Sequence, residues 1–219
     1  MALWYLTRAT GGVALVLLTV TLVLGIVDVA RVSSERVPRF VVDAVHRAAS
    51  LFVVLLVAIH VFTAILDSFA PIRLADAIVP FGGTYRPVWV GLGALSFDLL
   101  LALTITSLLR ARIGVRAWRA VHWAAYACWP LAFMHTLGTG SDVRPGWMLW
   151  LSLACAAAVA LAILARAAAS YSAGVAVTGV TAVLAVAGLA LALWIPSGPL
   201  ADGWAKKAGT PPSLLGSQR

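Results

Sequence analysis

The stretch DAVHRAASLFVVLLVAIHVFTAILD, Asp43–Asp67, decides the fold class. Between Ala44 and Leu66 its only ionisable side chains are His46, Arg47 and His60. Roughly 20 apolar helical residues, rising about 1.5 Å each, cover the ~30 Å of bilayer hydrocarbon. Keeping two imidazoles within such a span costs free energy, so the stretch points to function as well as topology. Five further stretches are long and apolar enough to cross: Gly12–Ala30, Val88–Leu109, Ala117–Leu137, Gly146–Ala165 and Ala173–Trp194. An all-α integral membrane protein is expected, built as a six-transmembrane-helix bundle.

Composition agrees with that expectation. Of the 219 residues, 62% are hydrophobic and 11% charged, with a mean hydropathy of +0.99. Soluble domains carry about 25% charged residues, so lipid must be part of this chain's solvent. Disorder, a disulfide scaffold and a soluble enzyme are excluded. Cys128 and Cys155 lie in apolar runs, read as small buried hydrophobes, and no C-x-x-C-H motif for covalent haem occurs. The first apolar stretch lacks an A-x-A cleavage site and is expected to stay as an anchor.

The spans are parted by short polar segments punctuated by Pro38, Pro71, Pro80, Pro87, Gly114 and Pro145. In the longest, PIRLADAIVPF is expected to form a short amphipathic helix at the interface. Residues 1–195 form the transmembrane domain in this reading, and residues 196–219 an extended C-terminal tail.

Lys and Arg number 16 against 8 Asp and Glu, a formal charge of +8. Nine of those 16 cluster on one side: Arg31, Arg36, Arg39 and Arg47 around the first connection, Arg110, Arg112, Arg116 and Arg119 in the third, and Arg166 in the fifth. By the positive-inside rule the first and third loops are cytoplasmic, and both termini lie outside the plasma membrane. Arg8, Arg73, Arg86, Arg144, Lys206, Lys207 and Arg219 fall on the other side. No reason remains to invoke nucleic acid.

All four histidines lie in spans. His46 and His60 are 14 residues apart on the second, His122 and His135 are 13 apart on the fourth, or about 21 and 20 Å along a helix axis. The second and fourth spans run the same way, so His46 can face His122 and His60 can face His135. Two neutral imidazoles on opposite sides of a flat cofactor constitute axial ligation of haem iron, with two haems stacked across the bilayer. Helical phase fits less well. On an ideal helix His60 returns to within about 40° of His46, but His135 lies about 140° from His122. Pro130 sits between the latter two and can alter the winding there.

Two segments carry a resemblance. RAWRAVHWAAYACWPLAFMHTLGTGSD, Arg116–Asp142, and the Asp43–Asp67 stretch resemble the two ligand helices of the ferric reductase-like transmembrane domain superfamily. That superfamily includes NADPH oxidases, ferric reductases and the haem subunit of the bacterial methionine sulfoxide reductase system. The resemblance spans roughly the first through fifth helices. It implies that His46, His60, His122 and His135 are iron ligands of two b-type haems, and that the chain is the electron-transfer subunit of an oxidoreductase, with no catalytic residue of its own. Four haem propionates would offset about half of the basic excess. The resemblance also implies cytoplasmic loops where a flavin domain docks. These 219 residues contain no G-x-G-x-x-G and no room for a dinucleotide-binding fold. Separate partners are therefore expected: a flavoprotein or quinol as donor, and ferric iron, oxygen or an extracytoplasmic flavoprotein as acceptor.

Other residues have two readings each. Arg47, Arg116 and Arg119 can reach the inner haem's propionates or merely set topology. Arg73 and Arg86 can serve the outer haem or lie in a solvated loop. Trp129 is a bridge between haems or core packing, and Tyr126 a haem contact or core. Asp98 can orient a histidine, lie on a proton path, or bond a Ser or Thr; Asp67 is an acceptor site or a helix-end charge. Two other functions stay open: a quinol-oxidising cytochrome b-type subunit, and a transporter whose histidines relay protons.

Overall fold

The computed structural model describes residues 2–29, 38–140, 143–144, 146–170 and 172–215. Arg31, Arg36, Pro145 and Arg219 lie outside them. The described residues are all-helical, with no strand. In chain order the helices are α1 (Ala2–Val29), α2 (Arg39–Leu66), α3 (Leu74–Ile78), α4 (Pro87–Leu108), α5 (Arg110–His122), α6 (Ala125–Thr139), α7 (Trp147–Ala168), α8 (Ala173–Ser197), α9 (Trp204–Lys207) and α10 (Pro212–Leu215).

Five of these, α1, α2, α4, α7 and α8, are long and apolar enough to cross a membrane. Their exposed surface is greasy: Val175 is 81% exposed, Phe40 72% and Leu193 67%. Water would not tolerate such a surface on a folded chain, whereas lipid tails match it. Helical backbone pairs its N–H and C=O groups within the segment, as a bilayer demands. The hydroxyls follow suit, each bonded to the carbonyl four residues back: Thr19 to Leu15 at 2.8 Å, Thr104 to Leu100 at 2.8 Å and Thr136 to Ala132 at 2.9 Å.

Helix α1 is the hub, packing most extensively on α2 and also on α7 and α6, while α4 packs on α6. One apolar core gathers Leu15, Trp129, Phe133, Leu137, Met148 and Val159 from α1, α6 and α7. A second, of Val53, Leu100, Leu103 and Cys128, joins α2, α4 and α6. There Ser96 Oγ donates to the Cys128 carbonyl at 2.9 Å, so a buried hydroxyl finds a partner between helices. Both cysteines are buried free thiols.

The expected fourth span, Ala117–Leu137, is not one continuous helix. It divides at Trp123–Ala124 into α5 and α6. The cause lies one turn ahead. Pro130 has no N–H for the Tyr126 carbonyl, and its ring crowds that carbonyl. The chain answers by tightening: Ala124 N–H donates to Val121, Tyr126 to Trp123 and Ala127 to Ala124, at 2.9, 3.1 and 3.0 Å. These three-residue steps are 3₁₀ winding. Upstream, α5 is bent at Gly114, where φ is +80°.

Within residues 196–215 the C-terminal segment is not extended, and residues 216–219 of the expected tail lie outside the described residues. Helix α8 runs through Pro196 to Ser197, and the chain then folds back over the ends of α4 and α6. The Trp204 indole packs against Trp89 and Trp194, with ring centres 5.4 and 6.0 Å away, and its N–H donates to the Gly138 carbonyl at 3.1 Å. Gly203 and Gly209, at φ +73° and +90°, make the turns that bring it there. The PIRLADAIVPF segment forms α3, where the Asp76 carboxylate accepts the Arg73 N–H at 2.9 Å.

Candidate functional site

Paired imidazoles occupy two levels of the bundle. The rings of His46 and His122 have centres 6.5 Å apart; those of His60 and His135 are 6.2 Å apart and perpendicular. The 3₁₀ steps shift the phase in the direction needed. Each residue so wound turns about 120° in place of about 100°, so the three steps recover roughly 60° of the ~140° mismatch.

Three of the four rings are held by the same device. His46 Nδ1 lies 3.0 Å from the Thr21 carbonyl, His60 Nδ1 2.8 Å from that of Thr7, and His135 Nδ1 2.9 Å from that of Trp89. A carbonyl only accepts, so each Nδ1 carries the proton and each Nε2 keeps its lone pair. That tautomer is the one a metal needs, and the carbonyl fixes the ring's direction. His122 differs: its buried Nδ1 has no hydrogen-bond partner among the described residues.

Glycines make room for the rings. A Cβ on Gly11 would meet His60 at 2.9 Å, one on Gly93 would meet His135 at 2.4 Å, and one on Gly25 would meet His46 at 3.5 Å. Thr7 and Gly11 serve His60 as Thr21 and Gly25 serve His46. The motif T-x-x-x-G therefore occurs twice on α1, 14 residues apart, matching the histidine spacing on α2. This repeat was readable in the sequence and is the signal that sequence reasoning missed.

The geometry suits a metal between each pair. Two imidazole nitrogens at about 2 Å on opposite sides of one ion put the ring centres about 6 Å apart. Beside His60 and His135 an apolar cavity of about 280 Å³ opens among α1, α2, α4 and α6, walled by Gly11, Val57, Gly93, Phe97 and Leu100. Among the described residues no three His, Cys, Asp or Glu side chains converge, so a site here rests on two histidines. Two imidazoles facing each other at each level are a donor set that could hold one metal-centred cofactor.

The remaining candidates sort plainly. Arg47, Arg116 and Arg119 are exposed, on α2 and α5 beside the His46/His122 level. Arg86 is 3% exposed and belongs neither to a solvated loop nor to the cavity lining. Its side chain donates to the Thr139 carbonyl at 2.8 Å and to Thr210 Oγ1 at 3.0 Å, tying the C-terminal segment down. Arg73 pairs with Asp76 at 3.3 Å. Arg8, given no role from sequence, lines the cavity.

Trp129 is buried in the α1–α6–α7 core, stacked on Phe133 and donating to Thr19 Oγ1 at 2.8 Å. Tyr126 is 44% exposed, against Trp123. Asp67 caps α2, accepting the Phe69 N–H at 3.0 Å, and also lines the cavity. Asp98 is half-buried and makes no hydrogen bond or ion pair among the described residues. The histidine N–H groups go to backbone carbonyls in its stead.

Residues 10–133, more than half of the chain, match the family described as ferric reductase like transmembrane component. The chain belongs to that family and is a multi-pass membrane protein. Domains of this family are generally haem-binding, and membership indicates transmembrane electron transfer. No curated protein and no solved structure matches the chain.

Proposed function

We propose that this chain carries electrons across the plasma membrane through two b-type haems, as the membrane subunit of a ferric reductase-like oxidoreductase. The observation that carries the proposal is the doubled arrangement of facing histidines, three of them tautomerically fixed by backbone carbonyls. His46 and His122 would hold the inner haem, and His60 and His135 the outer one. Haem bound at these positions supplies reversible one-electron storage on iron.

The protein's own residues do the rest. Thr7, Thr21 and Trp89 aim the imidazoles, and the hydrogen bonds raise ligand basicity. Gly11, Gly25 and Gly93 let helices approach as closely as the rings require. Arg47, Arg116 and Arg119 offer charge to anionic propionates at the inner level, and Arg8 does so at the outer one. The apolar walls exclude water, which tunes potential. The first and third loops face the cytoplasm in this reading and both termini face outside. A separate flavoprotein or quinol donates; ferric iron, oxygen or an extracytoplasmic flavoprotein accepts.

The test is a purified preparation assayed for haem content and reducible bands. His60→Ala or His135→Ala should each remove the outer haem and leave the inner. A colourless wild-type protein, or two haems retained in both variants, would refute the assignment.

A further inference from the structure

At the end of the molecule where α5 lies, one aromatic side chain links the surface to a paired histidine. The Trp118 indole stacks on His122, with ring centres 4.8 Å apart and planes 28° apart. Trp118 and His122 are four residues apart, which puts them on one face of the helix. The Arg110 guanidinium lies over the same indole, 4.4 Å from its centre, and the indole N–H donates to Ser107 Oγ at 3.2 Å. Trp118 is half-buried, while everything around it on α5 from Arg110 to Ala120 is exposed. Among the described residues no Trp, Tyr or Phe ring stacks on His46, His60 or His135.

The charge at this surface is of one sign. Arg110, Arg112, Arg116 and Arg119 are all exposed, and none has an ion pair among the described residues. No acidic residue occurs in the sequence between Asp98 and Asp142. Exposed apolar groups, Leu108, Ile113 and Val115, are interspersed with these cations. A lipid headgroup needs only the cations. A surface that also presents a π-system stacked on a half-buried imidazole suits a partner that passes electrons.

We propose that this face docks an acidic electron-donor protein, and that Trp118 is the side chain through which its electron reaches the inner histidine pair. The inference rests on His46 and His122 holding haem iron. The donor's redox centre would give up one electron, and haem held by His46 and His122 would supply the one-electron acceptor. Trp118 begins and ends as a neutral indole, no bond is made or broken, and no proton moves. The four arginines steer and hold the donor, so association falls with ionic strength.

The test uses the full haem-loaded chain in nanodiscs of neutral lipid, mixed without oxygen with photoreduced FMN, which carries a phosphate, or photoreduced riboflavin, which does not. Reduced FMN should react roughly tenfold faster at low salt and lose that advantage at high salt, as steered encounters do. Arg112→Gln, which leaves the Arg110 contact with the indole in place, should shrink the advantage while sparing the riboflavin rate. Trp118→Leu should slow both reductants several-fold with haem content, spectrum and midpoint potential unchanged, and Trp118→Phe should restore most of the rate.

Unaltered rates in Trp118→Leu would overturn the proposal, as would equal rates for the two flavins at low salt. If anionic lipid in the disc erases the FMN advantage, the patch is a headgroup site and the proposal fails. A preparation with no haem bands overturns the underlying assignment too, and shows itself before any flavin is added.

Discussion

Gly93→Ala probes the outer histidine pair most directly, because the perturbation is one methyl group at a known distance. The new carbon would stand 2.4 Å from His135 Nδ1 and 2.6 Å from Cε1, whereas ordinary contact begins at 3.4 Å. The imidazole must therefore retreat by about 1 Å. Its Nδ1–H is held at 2.9 Å by the carbonyl of Trp89, one turn back on the same helix, and the retreat breaks that bond. The lost hydrogen bond costs about 0.5–1.5 kcal/mol and the overpacking about 1–3 kcal/mol. Together, about 1.5–4.5 kcal/mol corresponds to a roughly ten- to two-thousand-fold loss of affinity at the outer level.

The assay is haem stoichiometry and the reduced-minus-oxidised spectrum of the purified full chain, with helix content as the check on folding. Two companion variants grade the effect. Gly11→Ala, with 2.9 Å to His60, should weaken the outer haem less severely; Gly25→Ala, at 3.5 Å from His46, should leave both haems in place. A Gly93→Ala protein with two haems and an unaltered spectrum would refute the reasoning.

Pro130→Ala restores the missing N–H and favours helix by about 3 kcal/mol. Calorimetry should find thermal stability kept or raised. Unwinding of the 3₁₀ steps at the same time rotates His135 by about 60° and should empty the outer level; a spectrum identical to wild type would show that the break at Trp123–Ala124 has another cause. Arg86→Gln leaves a neutral amide where a buried guanidinium bonds the Thr139 carbonyl and Thr210. The C-terminal segment should loosen, and limited trypsinolysis at Lys206 and Lys207 should speed up by an order of magnitude or so, an effect whose absence would mean the Trp204 contacts alone secure it.

What was legible in the sequence follows from range. Hydropathy is a local property, so five crossing helices could be located from the order of residues alone. Depth is also local once direction is known, which is why counting from His46 to His60 and from His122 to His135 anticipated which rings would lie together. Pro130 was visible too, but its consequence falls a turn earlier, where the Tyr126 carbonyl loses its donor, so one expected span became two helices. Long-range contacts were not legible. Nothing adjacent to Trp204 announces that it will bond Gly138, so the tail read as extended. Arg86 read as a loop cation for the same reason, because its partners lie more than 50 residues away.

The way the helices are grouped has a mechanical consequence. Helix α2 leans on α1 and only lightly on α4. Yet on the proposed assignment each haem would be held by one histidine from α2 and one from α5 or from α6. The cofactors would then act as rivets across a seam that side-chain packing closes only weakly. Their binding free energy becomes cohesion between the two halves of the bundle. The same metal centres that carry charge would then be structural members of the fold, and weakening one ligand would open the scaffold as well as dim the current.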